Sequence, residues 1–181
     1  MDAYDLGILI LRLGLGLTLT AHGLQKFLSS DGLDGTAAMF ESVGFRPGIL
    51  NAWFAAVAET VCGLGLAAGF LTPLSAAGVV ALMVTAAWTV HRSGGFFATA
   101  GGWEYNFILA VGAVGVATTG PGRISVDWGF WHDASFWYLF HGWPALTISV
   151  GIGLVSALMH MAMFYRPVTP AQSPEAPRHA N

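Results

Sequence analysis

The sequence predicts an all-α integral membrane protein, a four-helix bundle followed by a fifth transmembrane helix. Of its 181 residues, 55% are hydrophobic and only 9% are charged. Soluble domains carry a charge on roughly a quarter of their residues, so this chain has too few charged side chains to form the polar surface of a soluble fold. Its mean hydropathy of +0.63 leads to the same conclusion.

Five apolar segments approach the roughly 20 residues that a helix needs to cross a bilayer, and we predict a transmembrane helix for each. They are residues 5–28, 49–71, 73–92, 103–119 and 144–165. Thr72-Pro73 predicts a tight hairpin between the second and third spans, and Gly120-Pro121-Gly122 ends the fourth. The acidic leader MDAYD lacks the basic start of a signal peptide. We therefore expect the first span to remain in the protein.

Three further segments are not predicted to cross the membrane. Residues 29–48 are too polar to span, and their apolar residues Phe40, Val43 and Phe45 predict a short helix at the membrane interface. Residues 129–143 hold seven of the chain's 23 aromatic residues, which is typical of a belt at the level of the lipid headgroups. Residues 166–181 are rich in proline and polar residues and predict a disordered tail.

The charges predict an orientation and exclude some partners. The side with the first loop, the third loop and the tail carries Lys26, Arg46, Arg92, Arg166 and Arg178, against Arg123 alone on the other side. The positive-inside rule then places the N-terminus outside and the C-terminus in the cytoplasm. A net charge of −3 gives no basic face for nucleic acid. The single cysteine, Cys62, excludes an internal disulfide and a thiolate metal cage.

Ionisable residues inside the predicted spans are the candidates for function. A charge at mid-bilayer costs about 2.5–3.5 kcal/mol or more, so such residues face the bundle interior and find partners. At 1.5 Å per residue, Glu59 lies about 15 Å and Arg12 about 24 Å from the inner surface. An inner cluster above Glu59 is predicted to contain His22, Lys26, Glu104 and Tyr105.

The pairing within this set stays open. Lys26 with Glu104 is the easier ion pair, while Glu59 forms a structural salt bridge with Arg12, takes up a proton, or handles protons for a ligand. Lys26 alone can also serve as an anchor that reaches the membrane surface. The run Met159-His160-Met161-Ala162-Met163 contains soft ligands for copper, but we interpret it as helix packing and predict no metal site.

The runs LRLGLG, HGLQKF, AETVCGLGLAAGFLTPLSA, GGWEYNFIL and GPGRISVDW occur in an order and spacing that resembles the DoxX family of bacterial membrane proteins, over about residues 5–128. The family pattern falls on His22, Gly23, Lys26, Glu59, Gly101, Gly102, Glu104 and Tyr105. The resemblance implies a four-helix membrane unit over residues 1–128 in the bacterial inner membrane. Residues 129–165, with the fifth helix, look like an added module.

The resemblance also implies a role in a redox or oxidative-stress system linked to quinones. Under this hypothesis His22 or Lys26 donates a hydrogen bond to a quinone oxygen, and Glu59 or Glu104 carries protons. Electrons would come from a redox partner protein, since the sequence has no CxxCH motif and no flavin fingerprint. The alternatives are a non-catalytic anchor or assembly subunit for such a partner, and a small-molecule transporter. The partner of this chain is expected to be a redox protein or a second copy of the chain.

Overall fold

The structure, a computed structural model, describes residues 2–167. Within that range the regular secondary structure is helical apart from one isolated bridge, and turns and irregular segments join the helices. The α-helices are α1 (Ala3–Leu28), α2 (Gly32–Val43), α3 (Gly48–Ala68), α4 (Thr72–Ala86), α5 (Glu104–Thr119), α6 (Val126–Trp131) and α7 (Gly142–Phe164). A π-helix (Ala87–His91) and a 3-10 turn (Arg92–Gly94) continue α4. The tail predicted to be disordered lies outside the described residues from residue 168 onward.

Each predicted span corresponds to one long helix. Four of these helices in the described range are long and apolar enough to cross a membrane: α1, α3, α4 with its continuation to Gly94, and α7. The helix α5 has 16 residues, which is about 24 Å against a hydrocarbon core of about 30 Å. A membrane crossing by α5 therefore stays a prediction.

The helix α5 nevertheless runs the length of the bundle beside α1. The hydroxyl of Tyr4, at the start of α1, donates to the carbonyl of Thr119 at the end of α5. At the opposite end, His22 near the end of α1 meets Tyr105 at the start of α5. Following the predicted orientation, we call the end with His22 and Tyr105 the inner end and the end with Tyr4 the outer end.

Glycines bring α1 and α3 into close contact. A Cβ on Gly16 would lie 2.5 Å from the carbonyl oxygen of Gly63, and a Cβ on Gly23 would lie 2.4 Å from the Oγ1 of Thr60. Side chains cannot fit at these distances, so the two backbones touch directly. The glycine-rich runs thus act as helix-packing surfaces, as small residues do in membrane bundles.

The last helix, α7, packs against the bundle along one face. Its buried residues recur every fourth position and are all small: Ala145, Ser149, Gly153 and Ala157. This stripe packs against α4, where a Cβ on Gly153 would lie 2.7 Å from the Cβ of Val80. One face of α7 is thus buried against α4 and α5, and the expectation that residues 129–165 are an addition to a four-helix unit stays a prediction.

At the inner end, the chain between α2 and α3 is joined to the end of α7. The backbone of Phe45 pairs with that of Tyr165, and the N–H of Arg46 donates to the carbonyl of Phe164 at 2.9 Å. The short helix α2 confirms the helix predicted within residues 29–48. This junction sets the position of the last turn of α7 relative to α3.

Candidate functional site

Lys26 and Glu59 form an ion pair between α1 and α3. The Nζ of Lys26 lies 2.5 Å from the Oε2 of Glu59, and the two side chains are 20% and 12% exposed. The same ammonium donates to the backbone carbonyl of His22 at 3.3 Å. The structure thus differs from both pairings suggested by depth, Lys26 with Glu104 and Glu59 with Arg12.

His22 and Tyr105 complete the polar cluster at the inner end. The Nε2 of His22 lies 3.2 Å from the hydroxyl of Tyr105, which links α1 to α5. Because Lys26 bonds the main chain of His22 and not its ring, the contacts do not form an unbroken chain of side-chain hydrogen bonds. Four predicted residues therefore meet: Glu59, Lys26, His22 and Tyr105.

Glu104 has a local structural contact. Its Oε2 accepts a hydrogen bond from the N–H of Ala98 at 2.9 Å, and its own N–H donates to the carbonyl of Phe96 at 2.8 Å. These bonds fix the loop before α5. Glu104 is near the cluster in the fold but bonds none of its members.

Arg12 belongs to the outer end. It is fully buried, donates from Nη2 to the carbonyl of Ile124, and lies against Gly69, where any Cβ would collide with the guanidinium. Its acidic neighbour is Asp127, not Glu59. Of the alternatives left open for Glu59, a salt bridge with Arg12 is not the arrangement in the structure, where Glu59 pairs with Lys26.

Asp127 caps the start of α4 from a distant part of the chain. Its carboxylate accepts hydrogen bonds from the N–H of Leu71 at 2.7 Å, the N–H of Thr72 at 2.8 Å and the hydroxyl of Thr72 at 2.6 Å. Burial raises the pKa of Asp127, while the bonds from Thr72 and Leu71 and the charge of Arg12 oppose that rise. We call Arg12, Asp127 and their partners the outer latch.

A cavity of about 610 Å³ lies in the cleft between α3 and α7, with α4 as its floor. The floor is formed largely by small residues, among them Ala77, Gly78 and Ala81. Glu59 forms part of the wall, so the ion pair with Lys26 borders this space. The inner end is closed by the aromatic residues Phe40, Phe45 and Phe164.

The cavity is also lined by a second polar pair, the partly buried His160 and the buried Asn51. The Nε2 of His160 lies 2.7 Å from the Oδ1 of Asn51, whose Nδ2 donates to the carbonyl of Pro47 at 2.7 Å. That second bond fixes the orientation of the amide, so its oxygen faces His160 and the Nε2 of His160 must be the donor. The Nδ1 of His160 is then an acceptor, and it bonds none of the described residues.

Three aromatic rings hold the His160 side chain in place. The ring centroids of Phe45, Phe54 and Phe164 lie 5.4, 5.5 and 5.3 Å from that of His160. The imidazole is thus oriented by one hydrogen bond and by aromatic packing. Sequence reasoning considered His160 only as a copper ligand and overlooked Asn51. The spacing of eight residues between Asn51 and Glu59, which places both on one face of α3, could have identified Asn51.

The arrangement suits an amphipathic ligand better than a metal ion. The described residues contain no group of three or more His, Cys, Asp or Glu side chains that could hold a metal. The largely apolar cavity is instead lined by His160 and Glu59, whose Nδ1 and Oε1 atoms have no hydrogen-bond partner among the described residues. Pockets for small organic molecules have this character, with a few polar groups that fix the orientation of the ligand.

Comparison with known proteins finds a matching membrane-protein family and similar proteins from two bacteria. Residues 7–92 match the family described as DoxX. A Mycobacterium tuberculosis protein named "Uncharacterized membrane protein Rv3486" is 29% identical over 130 residues, which are 66% of this chain and 78% of that protein. A Bacillus subtilis protein named "Putative oxidoreductase CatD" is 27% identical over 125 residues, 69% of this chain and 87% of that protein. No solved structure matches.

Proposed function

Because residues 7–92 of this chain match the DoxX family of membrane proteins, we propose that it is a quinol-binding membrane subunit of a redox system. The proposed site is the cavity between α3 and α7. The observation that carries the proposal is the pair of acceptors, His160 and Glu59, on the wall of an apolar cavity of about 610 Å³. One relative bears the name of an oxidoreductase, which supports the redox class.

The chemistry of the acceptors favours the reduced form of a quinone. A quinol has two O–H donors on an aromatic ring, whereas a quinone has two acceptors. The Nδ1 of His160 and the free Oε1 of Glu59 both accept, so they suit the two hydroxyls of a quinol. Asn51 and Glu59 are eight residues apart, or about 12 Å along α3, which leaves room for a ring between them.

The chain's own part in the reaction is to bind the ring, exclude water and receive protons. A quinol supplies two electrons and two protons when it is oxidised. His160 can accept a proton at Nδ1 while its Nε2–H stays bonded to Asn51. Glu59 can accept the other, and Lys26 stabilises its charge when the proton has left. The electrons pass to a partner protein, since the sequence has neither a CxxCH motif nor a flavin fingerprint.

Quinol binding tests the proposal directly. The protein is reconstituted in lipid nanodiscs, and the affinity for a short-chain quinol is measured by calorimetry. The quinone that copurifies in mild detergent is identified by mass spectrometry. Two double variants remove each acceptor without leaving its partner buried alone: Asn51→Leu with His160→Leu, and Glu59→Leu with Lys26→Met.

We expect each double variant to bind about five- to tenfold more weakly, the effect of one lost hydrogen bond. Met163→Leu, which keeps an apolar side chain on the same wall, is the matched control and should bind as the unaltered protein does. If both double variants keep their fold and bind quinol as tightly as the unaltered protein, the proposal is contradicted.

A non-catalytic anchor is the second candidate. Large aromatic side chains are exposed near the outer end: Phe130 is 77%, Trp143 79% and Tyr138 58% exposed. They suit either the headgroup belt or a contact with a partner or a second copy. Because α7 packs against α4 and α5 along one face, surface variants such as Phe130→Ser with Trp143→Ser test this role better than truncation. Loss of a copurifying partner in that variant, with quinol binding unchanged, would favour an anchor.

The remaining parts of the proposal are the location and the transport alternative. We place the protein in the bacterial inner membrane with its N-terminus outside. The transport alternative is tested by measuring uptake of a small molecule into sealed proteoliposomes, which a transporter would show. Release of quinol-derived protons without any uptake would favour the redox role.

A further inference from the structure

A second cavity, of about 810 Å³, lies between α4, α5 and α7. The last turns of α7 separate it from the first cavity, since Met159, His160 and Met163 line the first while Met161 and Ala162 line the second. The proposed quinol site does not use any of its residues.

Asn106 gives this cavity an unused hydrogen-bond acceptor. The residue is 5% exposed and lies on the cavity wall. Its Nδ2 contacts only the sulfur of Met83, at 3.6 Å, and its Oδ1 has no partner among the described residues. A buried amide oxygen without a partner is costly, and native proteins rarely keep one. The atom is therefore suited to a hydroxyl donor on a ligand.

Arg92 gives the same cavity a positive charge at the inner end. Its guanidinium carbon lies 4.4 Å from the centroid of the Trp88 ring, which orients the side chain along the cavity rim. Trp88 lies in the π-helix Ala87–His91, and Arg92 follows it directly. Such local widening of a helix is frequent at functional sites. Asn106 lies in the first turn of α5, so both polar groups occupy the inner part of the cavity.

We infer that this cavity binds a phospholipid whose headgroup carries one negative charge and a free hydroxyl. The phosphate pairs with Arg92 and the hydroxyl donates to the Oδ1 of Asn106. The acyl chains lie along apolar residues deeper in the bundle, including Val84, Ala110 and Leu158. Basic pockets between transmembrane helices bind anionic headgroups in this way. The apolar walls favour a lipid over a soluble phosphate ester.

The test uses the full chain in nanodiscs of defined composition and measures the lipids that remain bound after detergent extraction. Phosphatidylcholine, phosphatidylglycerol and phosphatidylmethanol are the probes, because the last two have the same charge and only phosphatidylglycerol has headgroup hydroxyls. We expect retention in the order phosphatidylglycerol, phosphatidylmethanol, phosphatidylcholine. Each step should be about fivefold, the effect of one charge contact or one hydrogen bond.

Two variants separate the two contacts. Arg92→Gln should lower both anionic lipids to the level of phosphatidylcholine. Asn106→Leu, similar in size, should make phosphatidylglycerol equal to phosphatidylmethanol and leave both above phosphatidylcholine. Arg123→Gln is the matched control, since Arg123 stacks on Trp128 in the same way at the outer end, and it should change nothing.

Three results would overturn the inference: equal retention of the three lipids, equal loss in Arg92→Gln and Arg123→Gln, or displacement of the lipid by soluble glycerol phosphate. The last would show a site for a free phosphate ester. Quinol binding is measured separately, so a negative result here does not bear on the proposed function.

Discussion

The Nζ of Lys26 on α1 lies 2.5 Å from the Oε2 of Glu59 on α3, and Glu59 is at the same time part of the cavity wall. The pair therefore has two roles: it joins two helices and it keeps a carboxylate at the edge of an apolar space. A carboxylate within a membrane span needs such a partner. Lys26 contacts the Oε2 of Glu59, so the Oε1 is the carboxylate oxygen that has no hydrogen-bond partner among the described residues.

Removing both members of this pair should cost less than the sum of the two single removals. Lys26→Met and Glu59→Gln are each expected to lower the free energy of unfolding by about 1–3 kcal/mol, because each leaves a partly buried polar group without its partner. The double variant should lose less than the sum, with a coupling energy of about 1–2 kcal/mol. Unfolding in mixed micelles of detergent and SDS measures all three. Additive losses would show that the ion pair contributes nothing.

Two neighbouring glycines of α1 should respond oppositely to alanine. Gly16 has the backbone of Gly63 and Ala67 within 3 Å of a built Cβ, whereas Gly14 has nothing within 4 Å. Gly16→Ala should therefore push α1 and α3 apart and cost about 1–3 kcal/mol of unfolding free energy. Gly14→Ala should be neutral or stabilise by up to about 1 kcal/mol, because alanine favours the helix. The same unfolding assay compares them. Equal effects would refute close packing at Gly16.

Cysteine labelling should reveal opposite sides of the membrane for the two ends of the bundle. In a Cys62→Ala background, Ser135→Cys at the outer end should react with a membrane-impermeant maleimide added to intact cells. Ser93→Cys at the inner end should react only after the membrane is opened. Both serines are exposed, so access depends on the side alone. The reverse pattern would contradict the orientation predicted from the lysines and arginines.

The helices could be predicted from sequence because the bilayer requires long apolar runs, and each expected span corresponds to a helix within a few residues, apart from the irregular end of α4. The partners of the charges could not be predicted, because the depths were calculated as if the end of α1 and the start of α3 lay at the same level in the membrane. In the structure Gly23, five residues before the end of α1, packs on Thr60, twelve residues after the start of α3. The helix α3 thus extends about 10 Å further inward.

That offset explains both pairings. Because of this offset, Lys26 lies at the same depth as Glu59. Arg12 lies at the same depth as Gly69, so its acidic neighbour is Asp127 and not Glu59. The cavity was also missed, because a search for charges in spans overlooks a neutral asparagine, and because α7 was treated as an appendage. His160 can be recognised as a site residue only once α7 is seen to pack on α4, because that packing brings His160 to Asn51 on α3.

The outer latch should depend on both oxygens of Asp127. Its fully buried carboxylate accepts three hydrogen bonds, from Leu71 and Thr72. In Asp127→Asn one oxygen becomes an NH₂ group that faces N–H donors, and Arg12 loses its acidic neighbour. We expect a loss of about 2–4 kcal/mol in the free energy of unfolding. Asp133→Asn, whose side chain is 91% exposed, is the matched control and should have no measurable effect in the same unfolding assay. If both variants are equally stable, Asp127 does not hold the start of α4.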